Sequence, residues 1–329
     1  MKKWLLYLCV ALLIVLPLSA CSQEKVETIN LAEVTHSIFY APLYVAMAEG
    51  FFEEEGLNVK LTTTWGGDKT MTTLLSDGAD IALVGSETSI YVHAQGSNDP
   101  IINFAQLTQT DGTFLVSREK IDDFEWEQLK DSTFLGQRKG GMPQMVGEFV
   151  LKQHGIDPQT DLELIQNVDF ANIPSAFASG TGDFVQLFEP TASIFEKEGT
   201  GHIVASFGTE SGKVPYTTFM SKQSFLDENA EAAKKFTTAI YKAQQWVQEK
   251  SVKEIAESIA PQFEDTELEL IETVVERYKE QGSFATDPIL DVEEWENLQN
   301  IMDEAGELPM RVDHETLVNT SFAEEVSSK

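Results

Sequence analysis

The chain has 329 residues, with 54 acidic against 23 basic side chains and a formal net charge of −31. So acidic a surface disfavours nucleic acid and anionic lipid headgroups, and it repels anionic solutes at long range. The length suffices for two cores of ordinary domain size, and the absence of a fixed-period repeat or low-complexity tract points to a globular body.

The first segment reads as an export signal. Lys2 and Lys3 form a basic start, residues 4–17 are almost wholly apolar, and Leu18-Ser19-Ala20 supplies small residues before a cut. The apolar run, about 15 residues, is short of the ~20 needed to cross a hydrocarbon core. Leu18-Ser19-Ala20-Cys21 resembles the bacterial lipobox. That resemblance implies that residues 1–20 are removed and that Cys21 carries lipid, which would hold the protein on the outer face of the cell membrane. Residues 21–26 read as a tether. The other cysteine, Cys9, lies within the signal, so the mature chain has no intrachain disulfide to form.

From residue 28 the pattern becomes short apolar runs alternating with amphipathic helices. Strands are expected at 28–34, 58–63 and 81–84, and helices at 42–49, 70–76 and 88–95. Pro42 suits a first helical turn, and the consecutive apolar positions at 81–84 suit a buried parallel strand. The order βαβαβα implies a parallel sheet covered on both faces. Strands at 101–107 and 113–117 follow, joined through Thr110-Asp111-Gly112 as a crossing between lobes. A second α/β unit comes next, with strands at 133–136, 162–166, 184–187 and 203–207 and helices at 143–154, 173–179 and 190–198. Residues 216–220 are read as a return to the first sheet. The last third is helical at 230–249, 252–259, 266–280 and 292–305. Phe236, Ile240, Ala243 and Val247 form one apolar stripe read as a core contact. The fold class is therefore α/β with two lobes, each a mostly parallel sheet flanked by helices. Residues 27–111 and 208–329 form the first lobe and 112–207 the second.

In open parallel sheets a ligand sits beyond the carboxyl ends of the strands, and five segments occupy such places. His36, Phe39 and Tyr40 precede the first helix. Trp65-Gly66-Gly67-Asp68 combines a stacking face with a tight turn; Asp68 is equally placed to cap a helix. Ser86 and Glu87 follow the third strand, where Glu87 could meet an amine or simply favour a helix N-terminus. Arg138-Lys139-Gly140-Gly141 stands before a helix, where backbone N–H groups and rare positive charge could hold an anionic group. Glu189-Pro190 and Asn172 lie at the corresponding ends in the second half, and Asn172 is also explicable as a cap. Each has a plainer reading as core, cap or solvated surface. His36, His93, His154 and His202 are dispersed, with no metal-ligand spacing and no nucleophile–base pair. Neither a metal, a cofactor nor catalysis is expected.

Several phrases resemble the periplasmic-binding-type proteins, type II, that include the sulfonate, nitrate, taurine and thiamine-pyrimidine-precursor binders. They are Phe39-Tyr40-Ala41-Pro42-Leu43-Tyr44-Val45-Ala46, Glu49-Gly50-Phe51-Phe52-Glu53-Glu54-Glu55-Gly56-Leu57, Gly78-Ala79-Asp80-Ile81-Ala82, Ala178-Ser179-Gly180-Thr181-Gly182-Asp183 and Glu189-Pro190. The resemblance covers nearly the whole mature chain. It implies an extracytoplasmic solute-binding lipoprotein, a monomer, that serves an ABC permease and its ATPase. A small polar heterocycle such as a thiamine pyrimidine precursor is the first expectation, with Tyr40, Trp65, Glu87 and Glu189 as ring and amino contacts. An alkanesulfonate, taurine, nitrate or similar small anion is the alternative, held by Ser86, Gln137, Gly140 and Gly141. Arg138-Lys139 and Trp65-Gly66-Gly67 depart from the pattern expected of sulfonate binders and leave the solute open. A pyrimidine-precursor enzyme on a related fold, or a sensor or adhesion subunit, are the rivals from other classes.

Overall fold

The computed structural model describes residues 26–328. The expected signal, Cys21 and all of the tether but Val26 lie outside the described residues.

Among the described residues ten strands form two five-stranded sheets. The first has the order β2-β1-β3-β10-β4, where β1 is Glu27–Glu33, β2 Leu57–Thr63, β3 Ile81–Gly85, β4 Ile101–Thr108 and β10 Thr217–Lys222. The second has the order β7-β6-β8-β5-β9, where β5 is Thr113–Ser117, β6 Thr133–Leu135, β7 Glu163–Ile165, β8 Phe184–Phe188 and β9 His202–Ser206. Each is mixed by one strand. β1 pairs in parallel with β2 and β3, whereas β10 runs antiparallel to both β3 and β4. In the second sheet β6 is parallel to β7 and β8, and β5 is antiparallel to β8 and β9. All eight residues of β4 are buried, because helices cover both faces. This is the two-lobed fold of type II periplasmic binding proteins, in which β4 and β5 are consecutive strands in different sheets.

The C-terminal helices complete the first lobe. Helix Ala230–Glu249 buries Phe236, Ile240, Ala243 and Val247, the stripe read from sequence. Phe236 meets Phe52 and Phe219 with ring centroids 5.0 and 4.9 Å apart, contacts that add to the burial itself. Trp295, on helix Val292–Glu304, is fully buried and donates its indole N–H to the Val312 carbonyl at 2.9 Å. Asn103 ties β4 to its surroundings, donating to Ser89 Oγ at 2.9 Å and the Leu317 carbonyl at 3.0 Å while accepting from Thr218 Oγ1 at 2.6 Å. With its partners in place this polar group lies inside the core without a desolvation penalty left open.

Several helix starts shift toward the cleft relative to expectation, among them that of the helix expected at 88–95, which begins at Glu87. The helix expected at 70–76 begins at Gly67, and the one expected at 143–154 begins at Met142. Residues read as loop therefore belong to first turns, and Gly67, Asp68 and Met142 border the space between the sheets.

Candidate functional site

A cavity of about 140 Å³ lies between the two sheets, at the carboxyl ends of β1, β2, β3, β6 and β8, the position an open α/β sheet provides for a ligand. Tyr40, residues 66–68, Gly85, Glu87 and Tyr91 wall it from the first lobe. Gln137, Arg138, residues 140–143, Phe170 and Phe188 wall it from the second, and Tyr216 and Thr217 close it where the chain returns. Aromatic rings on several sides with few polar atoms are what a small-molecule site requires.

Glu87 is the central polar group. It opens helix Glu87–Ala94 and is buried. The Met142 N–H, at the start of a helix of the other lobe, donates to its Oε1 at 3.3 Å. Oε2 has no hydrogen-bond partner. Burial pushes the carboxyl up to about 8, against the opposing pull of the Glu87 and Met142 backbone N–H groups. At neutral pH the group is mainly protonated, so it can both donate and accept. Gly85 makes room for it: a Cβ there would stand 2.1 Å from Oε2.

Gln137 Oε1 and the Tyr216 hydroxyl, which line the same cavity, are likewise without a hydrogen-bond partner. Gln137 is buried, and its Nε2 donates to the Gln186 carbonyl at 2.6 Å, which fixes the amide against β8. The adjoining glycine loop is similarly braced. The Gly140 N–H donates to Gln144 Oε1 at 2.8 Å, and Gln144 Nε2 and Gln166 Nε2 donate to Glu148 Oε1 at 2.8 and 2.7 Å. Gly140 has φ +86°, which a side chain would disfavour.

The basic pair is engaged across the cleft. Arg138 Nη2 lies 2.8 Å from Asp68 Oδ1, and Lys139 Nζ 3.4 Å from Glu307 Oε1. All but Glu307 are well exposed, so these pairs are screened and weak. At the back of the site Asp111 is buried in the β4–β5 crossing. Its Oδ1 accepts from the Thr113 N–H at 2.6 Å and from the Thr113 hydroxyl, while burial pushes the acid up to about 6.

A smaller chamber of about 80 Å³ adjoins the first. It is walled by Trp65 and Thr35 of the first lobe and by Ile173, Pro174 and Leu187 of the second, and it shares Gln137, Phe170 and Phe188 with the larger one.

Of the residues expected from sequence, Tyr40, Gly66, Gly67, Glu87, Arg138, Gly140 and Gly141 line the larger chamber and Trp65 the smaller. Five do not line either. Phe39 is in the core, its ring 5.2 to 5.8 Å from those of Tyr40, Phe188, Tyr216 and Tyr278. Ser86 is buried and donates to the Pro215 carbonyl. Asn172 is exposed, and its side chain caps nothing. His36 belongs to a separate network: its Nδ1 is 3.0 Å from Glu33 Oε1 and its Nε2 2.8 Å from the Gln262 carbonyl. Tyr44 and Thr63 donate to the same Glu33 carboxylate at 2.7 Å each, and the His36 bond to Glu33 raises the imidazole pKa. Glu189 turns away because successive side chains at a strand end alternate, so that Phe188 faces the cleft. Its carboxylate accepts from the Ser193 N–H and hydroxyl at 2.8 Å each and pairs with Arg277. Burial raises the Glu189 pKa, with Arg277 opposing.

Tyr91, Phe170, Phe188, Tyr216 and Thr217 were not among the expected residues. Tyr91 is legible as the position one helical turn after Glu87, and Phe188 as the last residue of a buried strand. Phe170 and Tyr216 lie in irregular connections with no comparable signal. Among the described residues no cluster of three or more His, Cys, Asp or Glu could hold a metal ion, and no helix is long and apolar enough to cross a membrane.

The sequence profile of the NMT1-like family matches residues 22–260. A protein of Bacillus subtilis (strain 168), "Putative binding protein YtlA", is 64% identical over the full length of both chains. Among solved structures, the alkanesulfonate-binding protein SsuA from Xanthomonas axonopodis pv. citri, bound to MOPS, superposes with a TM-score of 0.71 at 15% identity, covering 89% of this chain and 98% of that one. The periplasmic nitrate-binding protein NrtA from Synechocystis PCC 6803 superposes at 0.69 and 18% identity, covering 92% and 89%.

Proposed function

The chain belongs to the NMT1-like family, within the type II periplasmic-binding-protein superfamily, and from that premise we propose that it is the solute-binding subunit of an ABC importer whose solute is a flat, amino-bearing heterocycle. The family and fold are characteristic of non-catalytic solute-binding proteins, which work with a permease and an ATPase. The solute class rests on one observation: Glu87 Oε2 is buried and unpartnered beside aromatic walls, with Gln137 Oε1 as a second free acceptor. Such acceptors favour a ligand that brings N–H donors, because leaving them bare costs about 1–3 kcal/mol each. A protonated Glu87 can also donate to a ring nitrogen, matching the edge of an aminopyrimidine.

A small oxyanion such as an alkanesulfonate or nitrate is the second reading. Likeness to binders of those anions favours it, as does the glycine loop at the start of helix Met142–Gln153. Against it, the Met142 N–H already donates to Glu87, the Gly140 N–H to Gln144, and Arg138 is paired with Asp68.

Calorimetric titration of wild type and Glu87→Met, which removes every polar atom of the side chain, with aminopyrimidines and with alkanesulfonates separates the two. For a heterocycle the substitution weakens binding by ~10- to 100-fold, the effect of removing a group that reads a polar edge. For an anion it strengthens binding, because a competing carboxyl leaves the helix start. Failure of every member of both panels to bind would sink the importer reading. The lipobox-like Leu18-Ser19-Ala20-Cys21 supports a lipid anchor on Cys21 at the outer face of the membrane; a Cys21→Ser chain should then appear in the soluble fraction.

A further inference from the structure

The segment carrying Trp65 combines two costs that a plain connection would avoid. Trp65 has φ +58°, a left-handed backbone that a bulky side chain rarely adopts. Such a residue costs on the order of 1 kcal/mol and persists only where its neighbours fix it. Here they do. The Thr64 N–H donates to the Glu33 carbonyl at 3.0 Å and the Gly66 N–H to the Val34 carbonyl at 3.1 Å, pinning the chain on both sides. Thr64 Oγ1 reinforces this through the Glu33 carbonyl and Thr70 Oγ1, at 2.9 and 2.6 Å. The ring is left 46% exposed, in a chain where most large aromatics are buried. It stands over the smaller chamber, opposite Phe170 and Pro174 of the other lobe.

The two chambers are contiguous in their walls. Gln137, Phe170 and Phe188 belong to both, and Gln137 offers its unpartnered Oε1 at this shared wall while its Nε2 is committed to Gln186. A single compact head would fill the larger chamber and leave Trp65 without a role.

We infer that the solute is elongated: a polar head lies in the larger chamber against Glu87, and a flat apolar substituent lies in the smaller one, clamped between Trp65 and Phe170. Trp65 is then a specificity-determining residue that reads the substituent and not the head. The smaller chamber, about 80 Å³ with mainly apolar walls, suits one ring or a short branched chain. The inference rests on the reading of the cleft as a solute site. It does not depend on which head the cleft takes.

The test uses two matched pairs of probes, 4-aminopyrimidine with 4-amino-5-phenylpyrimidine and methanesulfonate with benzenesulfonate. Each is titrated calorimetrically into wild type, Trp65→Ala and Trp65→Phe, with tryptophan fluorescence followed in parallel. In the pair whose head is accepted, the phenyl compound binds wild type about tenfold or more tightly than its parent, as expected for burying an aromatic ring. Trp65→Ala abolishes that gain and leaves the parent unchanged, Trp65→Phe keeps most of it, and only the phenyl compound perturbs the Trp65 emission. Parent and phenyl compound binding equally well, or Trp65→Ala weakening both alike, would overturn the elongated solute while leaving the solute-binding function intact. Silence from all four probes would overturn the solute-site reading itself.

Discussion

Two glutamates stand at equivalent places in the two lobes and have opposite fates. Glu87 follows β3 and Glu189 follows β8; each is buried at the start of a helix, and burial raises the pKa of both. Glu189 receives the Ser193 N–H and hydroxyl and the Arg277 guanidinium, so its charge is satisfied within the protein. Glu87 receives the Met142 N–H of the opposite lobe besides its own backbone N–H, and keeps an oxygen free beside the cavity. A strand-end carboxylate is thus a structural brace where the fold supplies its partners and, on the function proposed above, a recognition group where it leaves one oxygen unmet.

The largest test breaks the brace. Arg277→Met leaves a buried carboxylate without its cation, and unfolding by denaturant should show a loss of about 3 kcal/mol, as for other half-removed buried pairs, while solute affinity of the folded protein is nearly unchanged. An equal loss of affinity would mean that the two glutamates are not separate in role.

The next concerns Glu87 and pH. Its pKa rises from the ordinary 4.5 of the unfolded chain to about 8 in the fold. The folded state therefore holds the extra proton between those values, and stability falls as pH rises through that window. Glu87→Gln should remove this slope, leaving the variant more stable than wild type at pH 8 by on the order of a few kcal/mol and little different at pH 4. Thermal unfolding across pH 4–8 reads the difference. Part of the wild-type slope remains in the variant, because Asp111, pushed up to about 6, contributes in the same sense. His36 adds to it, since its raised pKa gives stability present below 6.5 and lost as pH rises through its folded value.

Smaller effects sharpen the same contrast. Gly85→Ala sets a methyl group 2.1 Å from Glu87 Oε2 and must displace the carboxyl. Overpacking of this kind costs about 1–3 kcal/mol, and solute affinity should fall with it. Asp68→Asn removes the exposed partner of Arg138 and should change stability by less than about 1 kcal/mol, with the remainder lost at high salt.

Sequence periodicity located every strand and the main helices, because alternation and apolar runs follow directly from burial on a sheet. It also found the segments around the cleft. Its errors within them are mostly one residue wide: Phe39 beside Tyr40, Ser86 beside Glu87, Glu189 beside Phe188. At Phe188 and Glu189 neighbouring side chains of a strand end point to opposite sides, whereas Phe39–Tyr40 and Ser86–Glu87 lie in helical turns, where consecutive side chains diverge by about 100°; in each pair the packing of the lobes decides which member meets the cleft. Partners distant in sequence were beyond reach for another reason. Arg277 meets Glu189 only through packing of the C-terminal helices, and Asp68 meets Arg138 only because the lobes approach one another.

The strand order also constrains how the chain assembles itself. β10 lies between β3 and β4, yet it arrives over a hundred residues after β4, and β4 has no other strand in its ladder. Without β10 the first sheet is a three-stranded fragment, β2-β1-β3, with β4 apart from it. Every strand of the second sheet, by contrast, lies in one continuous stretch from Thr113 to Ser206. The second sheet can therefore form from contiguous chain, whereas the first closes only across the long sequence separation between β4 and β10, the slower kind of contact to make.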